Sequence, residues 1–549
     1  MSKLQTYGRV VGRLYSWSFP RTLVGALKQH NYSAWRYFGW LLQTKTFAVP
    51  NKPLRLGERC LAWLLGLGML LQIVAGFVLV VEWARTGDGV YWPFGLALLV
   101  SYPLTWGFFL GLEVAVWHGL YFLVHPKKAG RSLVCTVLEG QVVKLRAKHK
   151  FTVVAVAGSV GKTSTKLAIA NLLGQTKRVR YQTGNYNDRV TVPLIFFGQE
   201  EPSLFNISAW LKVFSANNTA LGKRYPYDVV VIEIGTDGPG YMKEFAYIRP
   251  DVTVVTAITP EHMEYFETLD AVAAEELAVF DYSRQVLVNG DDVPGMYLVG
   301  REFSEYSVTA DEATYYAKPG VTTAQGQKLA LRLGKVKASA QTQYLGEQGA
   351  KIVLAAASVA AMLEVSPANI AAGIPKLEAF AGRMQLLQGV KGALLIDDTY
   401  NASPVAVNAA LDVLYGLKAK QRIAILGSMN ELGAYSPEAH REVGAYCDPN
   451  KLDLVVTIGA DALQYLAPEA EARGCTVHTC MSPYEAGEYV LKHLQEGAVI
   501  LAKGSQNGVF AEEALKALLA NPADASKLVR QSAYWLSKKR QQFTDAPDA

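Results

Sequence analysis

Cysteine is scarce in this chain, and acid is scarcer still at its start. Only Cys60, Cys135, Cys447, Cys475 and Cys480 occur among the 549 residues. Their number is odd and no two form a C-x-x-C pair, which argues against a disulfide framework or a cysteine zinc site and suits a reducing compartment. The first 59 residues carry ten Lys or Arg and one acid, Glu58, so the net charge of +6 belongs to the N-terminal arm. Nucleic acid is therefore not an expected partner. Tandem repeats and long low-complexity tracts are absent as well. A chain this long exceeds one hydrophobic core, and three or four folding units are expected.

What is present in excess is apolar, and it is concentrated before residue 125. Leu61 to Val81 holds 21 residues with Gln72 as the one strongly polar member. A hydrocarbon core about 30 Å thick needs roughly 20 helical residues, so this run is long enough to span. The next run, Val90 to Val124, carries Glu113 and His118 in its second half, which places a second span at Val90 to Leu112 with an interfacial continuation. Between them, Glu82 to Gly89 has two acids and one Arg, while Lys127, Lys128 and Arg131 follow the second run. The positive-inside bias puts both ends of a two-span hairpin in the cytoplasm of a cell-membrane protein. About 60 residues precede the first span, so a cleaved signal peptide is not expected. The arm interleaves Tyr15, Trp17, Trp35, Tyr37, Phe38 and Trp40 with Arg13, Arg21, Lys28 and Arg36. That pattern fits either an amphipathic surface on anionic lipid or a helical subdomain packed on the hairpin.

After Lys150 the composition changes. Phe151 to Ala157 is a short continuous apolar run, as expected of a buried parallel strand. It leads into Gly158, Ser159, Val160, Gly161, Lys162, Thr163 and Ser164, then a helical pattern through Leu173. A strand, a glycine turn and a helix start form a phosphate cradle. The glycines let backbone N–H groups approach the phosphates, Lys162 reaches the terminal phosphates, and Thr163 is placed to ligate Mg²⁺.

The loop Ala157-Gly-Ser-Val-Gly-Lys-Thr-Ser164 resembles the ATP loop of the Mur ligases, and further motifs follow in that family's order. These are Gly184-Asn185-Tyr-Asn187 with Pro193, the strand Tyr227 to Gly235 containing Glu233, Glu261-His262, Gly382-Arg383, Asp397-Asp398-Thr-Tyr400-Asn401, Gly427-Ser-Met-Asn430-Glu431 with His440, and Lys503-Gly-Ser505. The resemblance covers roughly residues 131 to 520 and is closest to the MurF branch. It implies an ATP-dependent amide ligase of peptidoglycan precursor synthesis. A muramoyl-peptide carboxylate would be activated as an acyl phosphate and captured by an amino acid or a D-Ala-D-Ala-type dipeptide.

By the same resemblance, Lys162, His262, Asn185 and Asn187 belong to the catalytic set. Residues 158–164 with Arg383, Asp398, Tyr400 and Asn401 would bind ATP, and Thr163, Glu233 and His262 would hold Mg²⁺. Asn430, Glu431 and Ser505 would line the amine pocket. Where the family carries a carbamylated lysine, this chain has Glu276, whose carboxylate would supply the same charge; alternatively Glu275 and Glu276 form an exposed helix face. Asp397 and Asp398 could likewise be a solvated turn. The family's adenine-contacting segment reads Gln348 to Ile352 here, and Gln506 stands where an arginine is usual. The membrane segment occupies the place of the family's N-terminal UDP-gripping domain. Other ligases of the superfamily, including folylpolyglutamate-type or lipid-linked-precursor enzymes, and a non-catalytic membrane scaffold are the competing readings.

The expected fold is α/β. A basic amphipathic arm (1–59) and a transmembrane hairpin (60–125) precede a central ATP-binding parallel-sheet domain (131–378). A β-rich insertion is expected near Tyr306 to Tyr344. A Rossmann-like C-terminal domain (379–549) follows, its last residues from Gln541 frayed. A monomer is expected.

Overall fold

The computed structural model describes residues 3–29, 32–43, 47, 54–184, 186–260, 263–430, 432–506 and 508–543. The chain forms two compact units, Met1–Leu133 and Val134–Ala549.

The first unit is helical. Helices α1 (Lys3–Leu14), α2 (Phe19–Gln29) and α3 (Ala34–Gln43) precede α4 (Leu56–Thr86) and α5 (Tyr91–Val124). Both α4 and α5 are long and apolar enough to cross a membrane, the second over Tyr91–Trp117. They pack tightly where glycines remove side chains: a Cβ on Gly76 would lie 3.0 Å from the Gly95 carbonyl, and one on Gly95 would lie 2.9 Å from the Gly76 carbonyl. The continuation expected after Leu112 is helical too. Glu113 limits how deep a segment sits in lipid, but it does not interrupt backbone hydrogen bonding, so the helix continues to Val124.

The arm packs on this hairpin. Phe19, Leu23, Leu27, Tyr37 and Leu41 share a core with Ala62, Leu65, Met69 and Leu110. Tyr37 donates its hydroxyl to the Gly107 carbonyl at 3.0 Å, and Lys28 pairs with Glu58 at 2.9 Å. Trp17 and Trp35 remain fully outside this core, 85% and 86% exposed.

Helix α6 (Pro126–Lys148) runs across the boundary into the second unit, which contains two sheets. The first has nine strands: β1 (Thr152–Ala157), β2 (Val179–Arg180), β3 (Val229–Glu233), β4 (Val252–Val255), β5 (Val286–Asn289), β6 (Ser304–Ser307), β7 (Tyr315–Pro319), β8 (Gln327–Leu333) and β9 (Val336–Thr342). Their order is 2-3-1-4-5-6-7-8-9, parallel through β7 and antiparallel thereafter. The β-rich segment expected near Tyr306 to Tyr344 thus extends the same sheet. Helices α7 (Lys162–Leu173) and Gly346–Met362 cover one face, where Val154, Val156, Val231 and Val254 meet Leu172, Val353 and Ala357. The other face packs Val153, Ala155, Ile232 and Val255 against Ile195, Phe245 and Val279.

The second sheet contains β10 (Gln385–Gln388), β11 (Leu394–Asp398), β12 (Arg422–Gly427), β13 (Leu454–Ile458), β14 (Val477–Cys480) and β15 (Val499–Lys503), in the order 10-11-15-12-13-14. Only β10 is antiparallel. Four of these strands match the apolar runs in the sequence; the short edge strands β10 and β14 do not announce themselves, since Gln385, Gln388, His478 and Thr479 break any apolar run. Near the end of the described residues Ala533–Gln542 is helical and Phe543 packs edge-on to Tyr484 and Phe510; of the stretch expected to fray from Gln541, residues 544–549 lie outside the described residues.

Candidate active site

Strand β1 ends in a turn that only glycine can form. Gly158 has φ +117°, and a Cβ there would lie 2.5 Å from Thr256 Oγ1 and 2.9 Å from the Ala257 nitrogen. Gly161 (φ +85°) then caps α7, whose first N–H groups face the loop. The loop is tied to the end of β4: Ser159 N–H donates to the Ala257 carbonyl at 2.9 Å, and Thr256 donates its hydroxyl to the Val160 carbonyl at 2.6 Å. Lys162 Nζ donates to the carbonyls of Gly158 and Ser159.

Thr163 Oγ1 donates to Glu233 Oε2 at 2.9 Å, so the helix start and the β3 end meet as the motif order implies. A hydroxyl and a carboxylate side by side are hard oxygen donors of the kind Mg²⁺ prefers. Asn187 sits against Gly235: its carbonyl accepts from the Gly235 N–H at 3.1 Å. Asn185, His262 and Glu431 lie outside the described residues. Glu276 is fully buried and accepts the Gly158 N–H at 2.8 Å. Glu275 is buried too, and takes the N–H groups of Gly240 and Met242. These two acids are therefore not an exposed helix face; each satisfies a buried loop donor.

Sequence reasoning missed Lys166. Its side chain is wholly buried, with Nζ 3.3 Å from Glu233 Oε2 and 3.2 Å from the Gly184 carbonyl. Burial pushes its pKa down and Arg383 adds to that, while Glu233 opposes the shift. The available signal was a lysine one turn after Lys162, directly before the helix's apolar run Leu167–Ala170.

The second sheet supplies the facing wall. Asp397 and Asp398 end β11 and are buried, not a solvated turn. Asp398 pairs with Lys503 Nζ at 2.5 Å and accepts from the Met384 N–H at 3.1 Å. Asp397 accepts from Gly382 and Thr399, and burial pushes its pKa up to about 6. The Arg383 guanidinium lies over the Tyr400 ring, 4.2 Å from its centroid. Asn401 offers its carbonyl to Lys503. Ser505 is fully buried and joins two loops, accepting from Asn430 N–H at 2.9 Å and donating to the Ala402 carbonyl at 3.3 Å. Its hydroxyl ties the Asn430 loop to Ala402.

Between these walls lies a cavity of about 600 Å³, lined by Gly161, Ser164, Lys351, Arg383, Asp398 and Lys503 among others. That volume suits a nucleotide. Arg383 Nε, in a side chain on this cavity, is buried and has no hydrogen-bond partner among the described residues. A phosphate oxygen is the acceptor that suits such a donor. Lys351 is held on the same wall by Asp292 at 2.9 Å and Glu347 at 2.8 Å.

Comparison with known proteins agrees with this geometry. The Mur ligase middle domain matches residues 156–360, and the Mur ligase glutamate ligase domain matches 382–506, together more than half of the chain. The chain belongs to the Mur ligase family. Members are ATP-dependent ligases that form amide bonds. The chain is 28% identical over 385 residues to the UDP-N-acetylmuramoyl-tripeptide–D-alanyl-D-alanine ligase of Haemophilus influenzae, covering 67% of this chain and 77% of the relative. The Bacillus subtilis ligase of the same name is 26% identical, covering 67% and 76%. Among solved structures, MurF of Thermotoga maritima in complex with ADP superposes with a TM-score of 0.57 at 22% identity, covering 70% of this chain and 83% of that one. The crystal structure of MurF from Acinetobacter baumannii gives 0.55 at 21%, covering 67% and 77%. This Mur ligase therefore has the family's middle and C-terminal domains, preceded by two apolar helices of membrane-spanning length.

Proposed function

We propose that this Mur ligase joins a muramoyl-peptide carboxylate to a D-Ala-D-Ala-type amine at the cytoplasmic face of a membrane that its α4–α5 hairpin crosses twice. The observation that carries the reading is the cavity lined on one side by Val160, Gly161 and Ser164 of the phosphate loop and on the other by Arg383 and Asp398. The carboxylate oxygen attacks the γ-phosphorus of ATP, giving an acyl phosphate and ADP; the amine then attacks the acyl carbon, forming the amide as inorganic phosphate and a proton leave. The protein's part is positioning and charge neutralisation. Lys162 and the loop N–H groups receive the outer phosphates. Arg383, steadied on Tyr400, supplies the donor that its buried Nε leaves available. Thr163 and Glu233 hold Mg²⁺, with His262 as the ligand for a second ion and Asn185 and Asn187 on the acceptor side.

Glu276 takes the role that the family gives to a carbamylated lysine. A permanent carboxylate bound to the Gly158 N–H needs no carbon dioxide, and it fixes the first residue of the phosphate loop. The variant Glu276→Gln keeps the shape but loses the charge, and a fall of about ten-fold or more in ligation is expected. An undiminished rate in that variant would remove the assignment.

The two spanning-length helices favour one specific variation: the acyl substrate is carried on a membrane lipid instead of UDP. Full-length protein in lipid nanodiscs, supplied with ATP, D-Ala-D-Ala and either UDP-linked or lipid-linked muramoyl peptides, separates the cases. Phosphate release that requires both the acyl acceptor and the amine is expected. Release with neither dependence would remove the ligase reading for this chain and leave the scaffold.

A further inference from the structure

The end of the chain lies beyond the matched family region, yet charges wire it to the nucleotide wall. Lys539, on the helix Ala533–Gln542, is completely buried, 2.9 Å from Glu512 Oε1 and 2.6 Å from Glu513 Oε1, and donates to the Arg530 carbonyl at 2.9 Å. Glu512 is buried as well and accepts from Arg530 Nε at 2.9 Å and Nη2 at 2.7 Å. The outer edge of the same guanidinium donates to the Thr399 carbonyl at 2.6 Å and the Tyr400 carbonyl at 3.1 Å. Arg530 itself has φ +56°, in the left-handed region that a side chain rarely occupies, which is consistent with a residue held in place by its contacts.

A buried network of two carboxylates and two cations is seldom more stable than apolar packing of the same volume, because each charge is desolvated. Its effect here is geometric. Thr399 and Tyr400 follow directly on Asp398, and Tyr400 carries the Arg383 guanidinium. The Tyr400 N–H also donates to the Gly382 carbonyl at 3.0 Å, so the arginine's own neighbour is locked to the same loop. A side chain at position 530 without the guanidinium would leave these two loop carbonyls without their donors.

We propose that Arg530, oriented by Glu512 and Lys539, is a positioning residue for nucleotide binding: it fixes the loop 397–401 and through it aims Arg383 and Asp398 at the cavity. The proposal rests on the nucleotide reading of that cavity. The test uses the full chain in nanodiscs with a fluorescent N-methylanthraniloyl ATP. Arg530→Lys keeps the charge but loses the planar fork. An affinity loss of about ten-fold is expected, as for small displacements of positioned groups, with thermal unfolding in the absence of nucleotide changed by only a few degrees. Unchanged affinity per folded molecule, with or without a drop in thermal stability, would overturn it. Should Arg530→Lys not fold, Glu512→Gln, which retains both carbonyl bonds, is expected to give a smaller loss of about three-fold; no change there would equally overturn it. Failure of the wild-type protein to bind the probe would instead sink the nucleotide reading itself.

Discussion

Two apolar helices of this protein show opposite habits. Helix α4 buries only Ala62, Leu65, Gly68, Met69 and Gly76, and its larger residues Trp63, Leu64, Leu71 and Phe77 stand 61% to 74% exposed. The helix Gly346–Met362 buries eleven residues, with Val353, Leu354, Ala355 and Ala356 wholly enclosed by β-strands and α7. Both read as apolar in sequence. One finds its apolar environment inside the protein, whereas the other needs it from outside. In the proposed membrane reading, a bilayer is the solvent that supplies it.

The largest break between the two regions is functional. Lys162→Ala should lower amide formation by roughly 10³-fold, since an electrostatic group on the reacting phosphates is removed, while leaving carbonate-resistant membrane association intact. Phosphate-release assays and membrane fractionation measure the two separately. Loss of both together would contradict the division into a catalytic unit and an anchor.

Truncation sharpens the contrast in packing. Leu354→Ala should cost about 2–5 kcal/mol because it opens a cavity in a filled core. Leu64→Ala, at a 65% exposed site, should change detergent-phase stability by less than about 0.5 kcal/mol. Denaturant titration of both variants checks the difference. A charge probes the same helix from the other side: Leu71→Arg should raise the cost of insertion by about 3–4 kcal/mol. That cost is read as a fall in the inserted fraction during coupled translation and membrane insertion. No fall would mean that the exposed face of α4 does not meet lipid.

The smallest effect concerns Asp397. Its folded pKa of about 6 lies above the unfolded value, so the folded state binds more protons between about pH 4 and pH 6. Its contribution is therefore lost as pH rises through that window, at no more than about 1.4 kcal/mol per pH unit. Asp397→Asn should flatten this part of the Tm-against-pH curve, measured by scanning fluorimetry. An unchanged slope would show that the carboxyl is already ionised near pH 4.

Much of the site was legible because its chemistry is local. Gly158 to Ser164 must be contiguous for backbone N–H groups to converge, and Glu233 and Asp398 end apolar strands that the composition marks clearly. Lys166 and Arg530 were not legible in the same way. Each acquires its partners from segments far along the chain, Glu233 for one and Glu512 with the Thr399–Tyr400 carbonyls for the other. The edge strand β10 was hidden for a related reason, since its pairing with β11 compensates for a weak apolar pattern of its own.

The amino-acid order by itself determined the phosphate loop, the two spanning-length helices and the alternation of buried strands with helices. These depend on short-range periodicity and on residue types that tolerate one backbone shape. Only the tertiary structure decided that Glu275 and Glu276 are buried on loop donors, that the arm packs on the hairpin, and that the final helix reaches the nucleotide wall through Arg530. Burial and ion pairing are set by which distant segments share a volume, and no local pattern encodes that.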